Sequence, residues 1–196
     1  MNRVVGYKIG YLVVLFALMA IATALILSLG GGTLTVLVVA GIFFIPGRIQ
    51  GIFYRKMFRG RRLLNSGRAA EAQQHFESFL RQLNEQPWLK KLLWLSWSIY
   101  TPNVEAMTLN NLGTAYLQLG QFSEAESAFK QALEVDPLYP IPYVNIAILR
   151  EMEGNRLKAE QAIATAVRLG YSGGTVDAVI HSAQSLLAHV EGLGRS

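Results

Sequence analysis

Residues 106–137, AMTLNNLGTAYLQLGQFSEAESAFKQALEVDP, constrain the fold of this chain more than any other stretch. Leu109, Leu112, Tyr116 and Leu119 recur at helical spacing. Gly120 then breaks the run, as a residue just past a helix end does. Ser123 followed by Glu126 has the capping-box pattern and predicts the start of a second helix. Ala125, Ala128, Phe129, Ala132 and Leu133 form the apolar face of that helix, and Pro137 cannot continue it. Small residues at Gly113, Ala125 and Ala132 let two antiparallel helices approach closely. Leu112, Tyr116 and Phe129 fill the space between them.

This order (a large residue, then Leu-Gly, Tyr, Ala, Phe, Ala and Pro) resembles the tetratricopeptide repeat (TPR), whose period is 34 residues. Leu109 stands where the family often has Trp, and the other matches are Leu112, Gly113, Tyr116, Ala125, Phe129, Ala132 and Pro137. The resemblance implies a protein-binding α-solenoid over 106–139. Adding one period reaches Tyr143, Ile146, Ala147, Gly154, Ala159, Ile163 and Ala166, a divergent repeat over 140–173 with Arg150 in place of the Tyr and Tyr171 in place of the Pro. Upstream, Gly67, Ala72, Phe76 and Phe79 fit a partial repeat over 53–86 with a weak first helix. Val176, Val179, Ile180, Ala183, Leu186, Leu187 and Val190 share one face of a helix in 174–196, read as the cap that covers a solenoid's last apolar surface.

The first 54 residues are a different material. Residues 9–29 carry no charge, and at ~1.5 Å per residue they span about 31 Å, enough for a bilayer core. Residues 33–47 are also uncharged but short, and reach spanning length only when extended to Tyr54, which takes in Arg48 and Gln50. The expectation is a membrane hairpin over 1–54, with helices at 9–29 and 33–54 joined through Gly30-Gly31-Gly32. A signal peptide is the competing reading, since Ala20-Ile21-Ala22 is an A-x-A match, but the apolar run continues beyond it. Arg3 and Lys8 precede the first segment, no charge lies in the hairpin loop, and Arg48, Arg55, Lys56, Arg59, Arg61, Arg62 and Arg68 follow the second. The positive-inside rule then puts both termini in the cytoplasm, with a bacterial inner membrane as the default and a thylakoid or organelle membrane as the alternative.

The formal net charge is +5, but the cations concentrate at the basic connector 55–62, whereas 105–173 holds eight acidic and five basic residues. Arg55, Lys56, Arg59, Arg61 and Arg62 suit anionic lipid headgroups. Nucleic acid is not an expected partner, because no nucleic-acid-binding fold accompanies the cluster. All three tryptophans, Trp88, Trp94 and Trp97, fall in an insert over 87–105 that separates the partial repeat from the strong one. On a helical wheel Trp88, Leu92, Leu95 and Ile99 oppose Lys90, Lys91 and Ser98. The insert either lies at the membrane interface, packs on the solenoid, or docks a membrane partner.

No catalytic or metal signature is present. There is no cysteine, His75, His181 and His189 lack metal-ligand spacing, and no phosphate loop, nucleophile elbow or H-E-x-x-H occurs. The expectation is a non-enzyme without cofactors. The resemblance places the partner-binding concave face on Met107, Asn110, Asn111, Thr114, Gln118, Ile141, Val144, Asn145 and Ile148. Asn111 and Asn145, one period apart, are expected to stack as equivalents and bond an extended peptide. TPR domains that clamp a C-terminal carboxylate use Lys and Asn at set positions; Asn111 matches one of these, but the expected lysine and arginine positions hold Met57, Ile141 and Asn145, so that binding mode is not expected. The sequence reads as an all-α, membrane-anchored TPR scaffold that recruits a protein during assembly of a membrane complex. The alternative is an integral subunit or regulator of a membrane enzyme or transporter, bound through the hairpin.

Overall fold

The computed structural model describes residues 3–28, 45–95, 100–173 and 176–193, with positions 30, 32, 37 and 41. All regular structure among the described residues is helical. In chain order it runs α1 (Arg3–Ser28), α2 (Ile45–Phe53), α3 (Arg55–Asn65), α4 (Ala69–Glu85), a 3-10 helix (Pro87–Leu95), α5 (Val104–Gln118), α6 (Phe122–Val135), α7 (Pro140–Met152), α8 (Arg156–Arg168) and α9 (Val176–Leu193).

Three helical hairpins, α3/α4, α5/α6 and α7/α8, stack so that α4 packs on α5 and α6 on α7. One packing unit recurs in them. Gly113 lies so close to Phe129 that a Cβ built on it would stand 2.5 Å from Cε1, and Gly60 meets Phe76 in the same way at 2.7 Å. In the third hairpin Ala147 and Ile163, both buried in one cluster, hold the corresponding positions. The ring occupies the place a methyl would take, so the bare Cα accompanies the ring and the methyl accompanies the smaller isoleucine. Phe76, Phe79 and Phe129 are fully buried, and each contributes about 1.5–3 kcal/mol relative to exposure.

The turn inside each hairpin is also repeated. After α5, Gly120 at φ +73° lets the Gln121 N–H donate to the Tyr116 carbonyl at 2.9 Å and the Gly120 N–H donate to Leu117 at 3.1 Å, closing the helix. Gly67 and Gly154 make the same turn after α3 and α7. The Ser123 capping box does not form. Gln121 is the N-cap residue of α6 and gives no side-chain bond, and Ser123 lies within the first turn. Once Gly120 has reversed the chain two residues suffice to enter the helix, so α6 starts before Ser123 can cap it.

The hairpins are joined by polar bridges from one position. The Tyr116 hydroxyl on α5 donates to Glu77 Oε1 on α4 at 3.2 Å. Arg150, the next period's counterpart on α7, reaches back to Glu126 on α6 and also pairs with Glu153 at 2.7 Å. The corresponding residue of the first hairpin is Leu63, which has no earlier hairpin to reach. Arg150 is therefore a second solution to the same inter-hairpin bond.

The insert packs on the solenoid through its first half. Leu89 is fully buried with Tyr54, Met57, Phe79, Leu83, Val104 and Met107. The Tyr54 hydroxyl donates to the Leu89 carbonyl and Gln50 Nε2 to the Leu92 carbonyl, each at 2.6 Å. Lys90 pairs with Glu105 at 2.6 Å. The wheel drawn for an α-helix fails because the segment is a 3-10 helix, whose three-residue period turns Leu89 rather than Trp88 inward. Its exit is pinned by the buried Thr101, whose hydroxyl donates to Asp136, and by Asn103, which caps α5 by accepting from the Glu105 and Ala106 N–H groups.

α1 is helical over Arg3–Ser28. Among the described residues no helix is long and apolar enough to cross a membrane. The expected span 33–54 falls largely outside the described residues. What is described of it, α2, leads straight into α3: Tyr54 N–H donates to Gln50 at 2.8 Å and Phe58 N–H donates to Tyr54 at 2.9 Å, so helical bonding passes through the joint.

Candidate functional site

The inner side of the stack is formed by the first helix of each hairpin, α3, α5 and α7. None of the nine residues expected to line an open binding face is exposed. Met107, Asn110 and Val144 are buried, and Asn111, Thr114, Gln118, Ile141, Asn145 and Ile148 are half-buried. No hydrogen bond joins Asn145 to its period mate Asn111 among the described residues. Asn145 Nδ2 instead donates to Asn110 Oδ1 at 2.9 Å, with Thr114 Oγ1 at 3.4 Å. The offset between α5 and α7 brings Asn145 level with the residue before its period mate. Asn111 Nδ2 is buried and has no hydrogen-bond partner.

The reason for this burial is in part α9. It does not cap the outer surface of α8. It packs chiefly on α7 and lightly on α5, the two neighbouring inner helices. Val179 joins the buried cluster of Val144, Ala147, Ala159, Ile163 and Ala166. Leu186 packs against the cluster of Leu117, Ala125, Phe129 and Leu149. Val190 closes over the α5–α6 turn, where a Cβ on Gly120 would stand 2.9 Å from its Cγ1. The outer side of α8 stays bare, with Leu157 67% and Val167 52% exposed.

On α3, Arg55, Lys56, Arg59, Arg61 and Arg62 are all exposed. Among the described residues none of the five has an ion pair, whereas Arg68, Lys90, Lys130, Arg150 and Arg156 all do. Burial, and then the Arg59 charge, hold the His75 imidazole on α4 below its ordinary range. Trp88 is half exposed with its ring edge-on to Phe53 at 5.0 Å. Trp94 lies in the 3-10 helix, and Trp97 lies outside the described residues.

Polar chemistry in the stack serves packing. Burial first, and then the Glu77 carboxylate, push the Tyr116 phenol up, which keeps it a donor to that carboxylate. Hydrogen bonding from Lys130 and then Arg150 holds the Glu126 carboxyl below the usual range. A cavity of about 220 Å³ opens beside the α3–α4 turn, but its two charged groups, Arg68 and Glu71, pair with each other at 2.6 Å. No group of three His, Cys, Asp or Glu suited to a metal occurs among the described residues.

The partial-repeat reading overlooked Gly60. Its signal was legible: it precedes Phe76 by the same sixteen residues that separate Gly113 from Phe129. The burial of Tyr54 and Leu89 and the inward turn of α9 had no periodic signal. The chain has no significant match among curated proteins. Residues 106–139 match the family model described as tetratricopeptide repeat. Repeats of that family are generally non-enzymatic scaffolds for protein–protein interaction, and the α5/α6 hairpin, set in an all-α helical stack, is similar to one of them.

Proposed function

We propose that this chain is a membrane-anchored TPR scaffold that binds a protein partner at the cytoplasmic face, in recruitment or assembly of a membrane complex. One observation carries the anchoring: α1 exposes Val13, Val14, Phe16, Leu18, Ile21, Leu25 and Leu27, residues that point to most sides of a helix. A helix apolar nearly all round belongs in a core or a bilayer, and α1 packs appreciably on no other described element. Its hydroxyls bond inward, Thr23 to the Met19 carbonyl and Ser28 to the Leu25 carbonyl at 2.8 Å, as a water-free setting requires. Residues 9–29 as a whole have spanning length. The unpaired cations of α3, with Trp88 beside Phe53, suit the headgroup layer immediately beyond a second span. Because α2 bonds through Tyr54 into α3, such an anchor would hold the first hairpin against the membrane. Partner binding falls to the inner face, around Asn111, Tyr143 and Asn145.

The second reading, an integral subunit held through the hairpin, draws on the same bare surface of α1, which suits another membrane helix as well as lipid. Cross-linking in intact membranes followed by mass spectrometry separates the two. The expected result is a partner captured by the full chain and lost with Tyr143→Ala or Asn145→Ala, while the chain stays in the membrane after carbonate extraction. Capture of the same partner by residues 1–62 alone would transfer the function to the hairpin. Release of the chain by carbonate would end the anchoring.

A further inference from the structure

The inner face of this stack is already filled by a helix from the same chain, and α9 has the features of a ligand rather than of a cap. A cap would cover α8, and α9 leaves Leu157 and Val167 of α8 bare. It runs instead along α7 and α5, as a helix laid into a groove would. Its contact residues, Val179, Ala183, Leu186 and Val190, fall at intervals of four, three and four, one stripe of a helix. Val179 and Ala183 are buried within that stripe. Asp177, Ala178, His181, Gln184, Ser185 and Ala188 are exposed on the remainder.

The fit is incomplete. α9 leans on α7 more than on α5. On α5 the buried Asn111 Nδ2 has no acceptor. A helix with a side-chain oxygen able to reach Asn111 would supply the acceptor that no described residue gives it. Between α8 and α9 the chain turns at Gly170, φ +97°, with the Tyr171 N–H donating to the Ala166 carbonyl at 2.9 Å, and Gly173 follows.

We propose that α9 is a displaceable resident of the inner face. The partner it stands in for is an amphipathic helix with small and branched aliphatic residues at the α9 spacing and a hydrogen-bond acceptor toward Asn111. This deepens the scaffold reading and rests on it for the location of the partner surface. It replaces the extended peptide with a helix and makes binding conditional on release of α9. Tethered α9 competes at an effective concentration of roughly a millimolar, so its removal from the groove raises the affinity for a helix in solution by the factor the tether imposes.

The probe is a fluorescein-labelled synthetic peptide with the sequence of residues 175–193, measured by polarisation against the full chain in detergent. Leu186→Glu should unseat α9 and tighten peptide binding ten-fold or more, with helix content unchanged by circular dichroism. Equal binding by the native and Leu186→Glu chains, both folded, would overturn the proposal. A second measurement leaves the groove unmutated. The chain has no cysteine, so Gln121→Cys with Ala188→Cys takes two spin labels on exposed sites. Saturating peptide should broaden and lengthen the distance between them, and an unchanged distance would overturn the proposal. Neither measurement uses the native partner. The displacement idea and the scaffold reading therefore fail separately: the first by this peptide, the second by the membrane cross-linking.

Discussion

Gly113→Ala adds one carbon to the tightest contact in the stack. The new Cβ would lie 2.5, 2.7 and 3.0 Å from Cε1, Cδ1 and Cζ of Phe129, against ~3.5–4.0 Å for an ordinary carbon contact. Phe129 is fully buried, so either the ring or a helix must move by about 1 Å. Overpacking of this kind costs about 1–3 kcal/mol, and the better helix propensity of alanine returns at most ~1 kcal/mol. The expected net loss is about 1–2 kcal/mol. Phe129→Ile alone removes ring atoms over Gly113 and costs a further ~1–3 kcal/mol, part of the ~3–5 kcal/mol of a full truncation. The double change writes the Ala147/Ile163 pair of the third hairpin into the second, and there the methyl fills the space the ring vacated. The two changes should couple favourably by ~1–2 kcal/mol. Urea unfolding of the full chain in mild detergent, followed by far-ultraviolet circular dichroism at constant m-value, measures all four corners of the cycle. Gly51→Ala on α2, where a Cβ meets nothing within 4 Å, is the control and should not destabilise. Additivity of the two changes to within ~0.5 kcal/mol would show that Gly113 and Phe129 are not a packing pair, and would refute the recurring unit.

Two other consequences are measurable. The Glu126 carboxyl is depressed by hydrogen bonds from Lys130 and Arg150; it therefore contributes stability above its unfolded pKa of about 4.3 and loses it as pH falls through the lower folded value. Urea midpoints of the native chain should fall over that acid window more steeply than those of Glu126→Gln, which should start lower at pH 7; parallel profiles would show that the bridge to Arg150 is energetically idle. Leu89→Ala should cost about 2–5 kcal/mol, because Leu89 is the fully buried anchor of the insert; an unchanged urea midpoint would mean the insert is not docked through this residue.

What could be read from the sequence is what the period writes. Gly120, Phe129 and Ala132 lie at positions where backbone reversal or helix approach admits few residue types, so the α5/α6 hairpin is legible in the sequence. Arg150 read as a departure from the pattern, because a sequence shows the missing Tyr and not Glu126 one hairpin earlier; in space both Tyr116 and Arg150 are donors to the preceding hairpin. In the insert a wheel assumes 3.6 residues per turn, and the 3-10 geometry exchanges Trp88 for Leu89 at the core. The direction of α9 was unreadable for a different reason. Its apolar stripe, Val179 to Val190, states only that one side must be covered, and both α8's outer side and the inner face of α7 and α5 offer apolar cover. Choosing between them depends on the short tether after Gly170 and on how wide the inner groove is, neither of which leaves a mark at helical spacing. The same ambiguity underlies the exchange proposed for α9: a stripe that any aliphatic groove satisfies holds its place by tethering and fit.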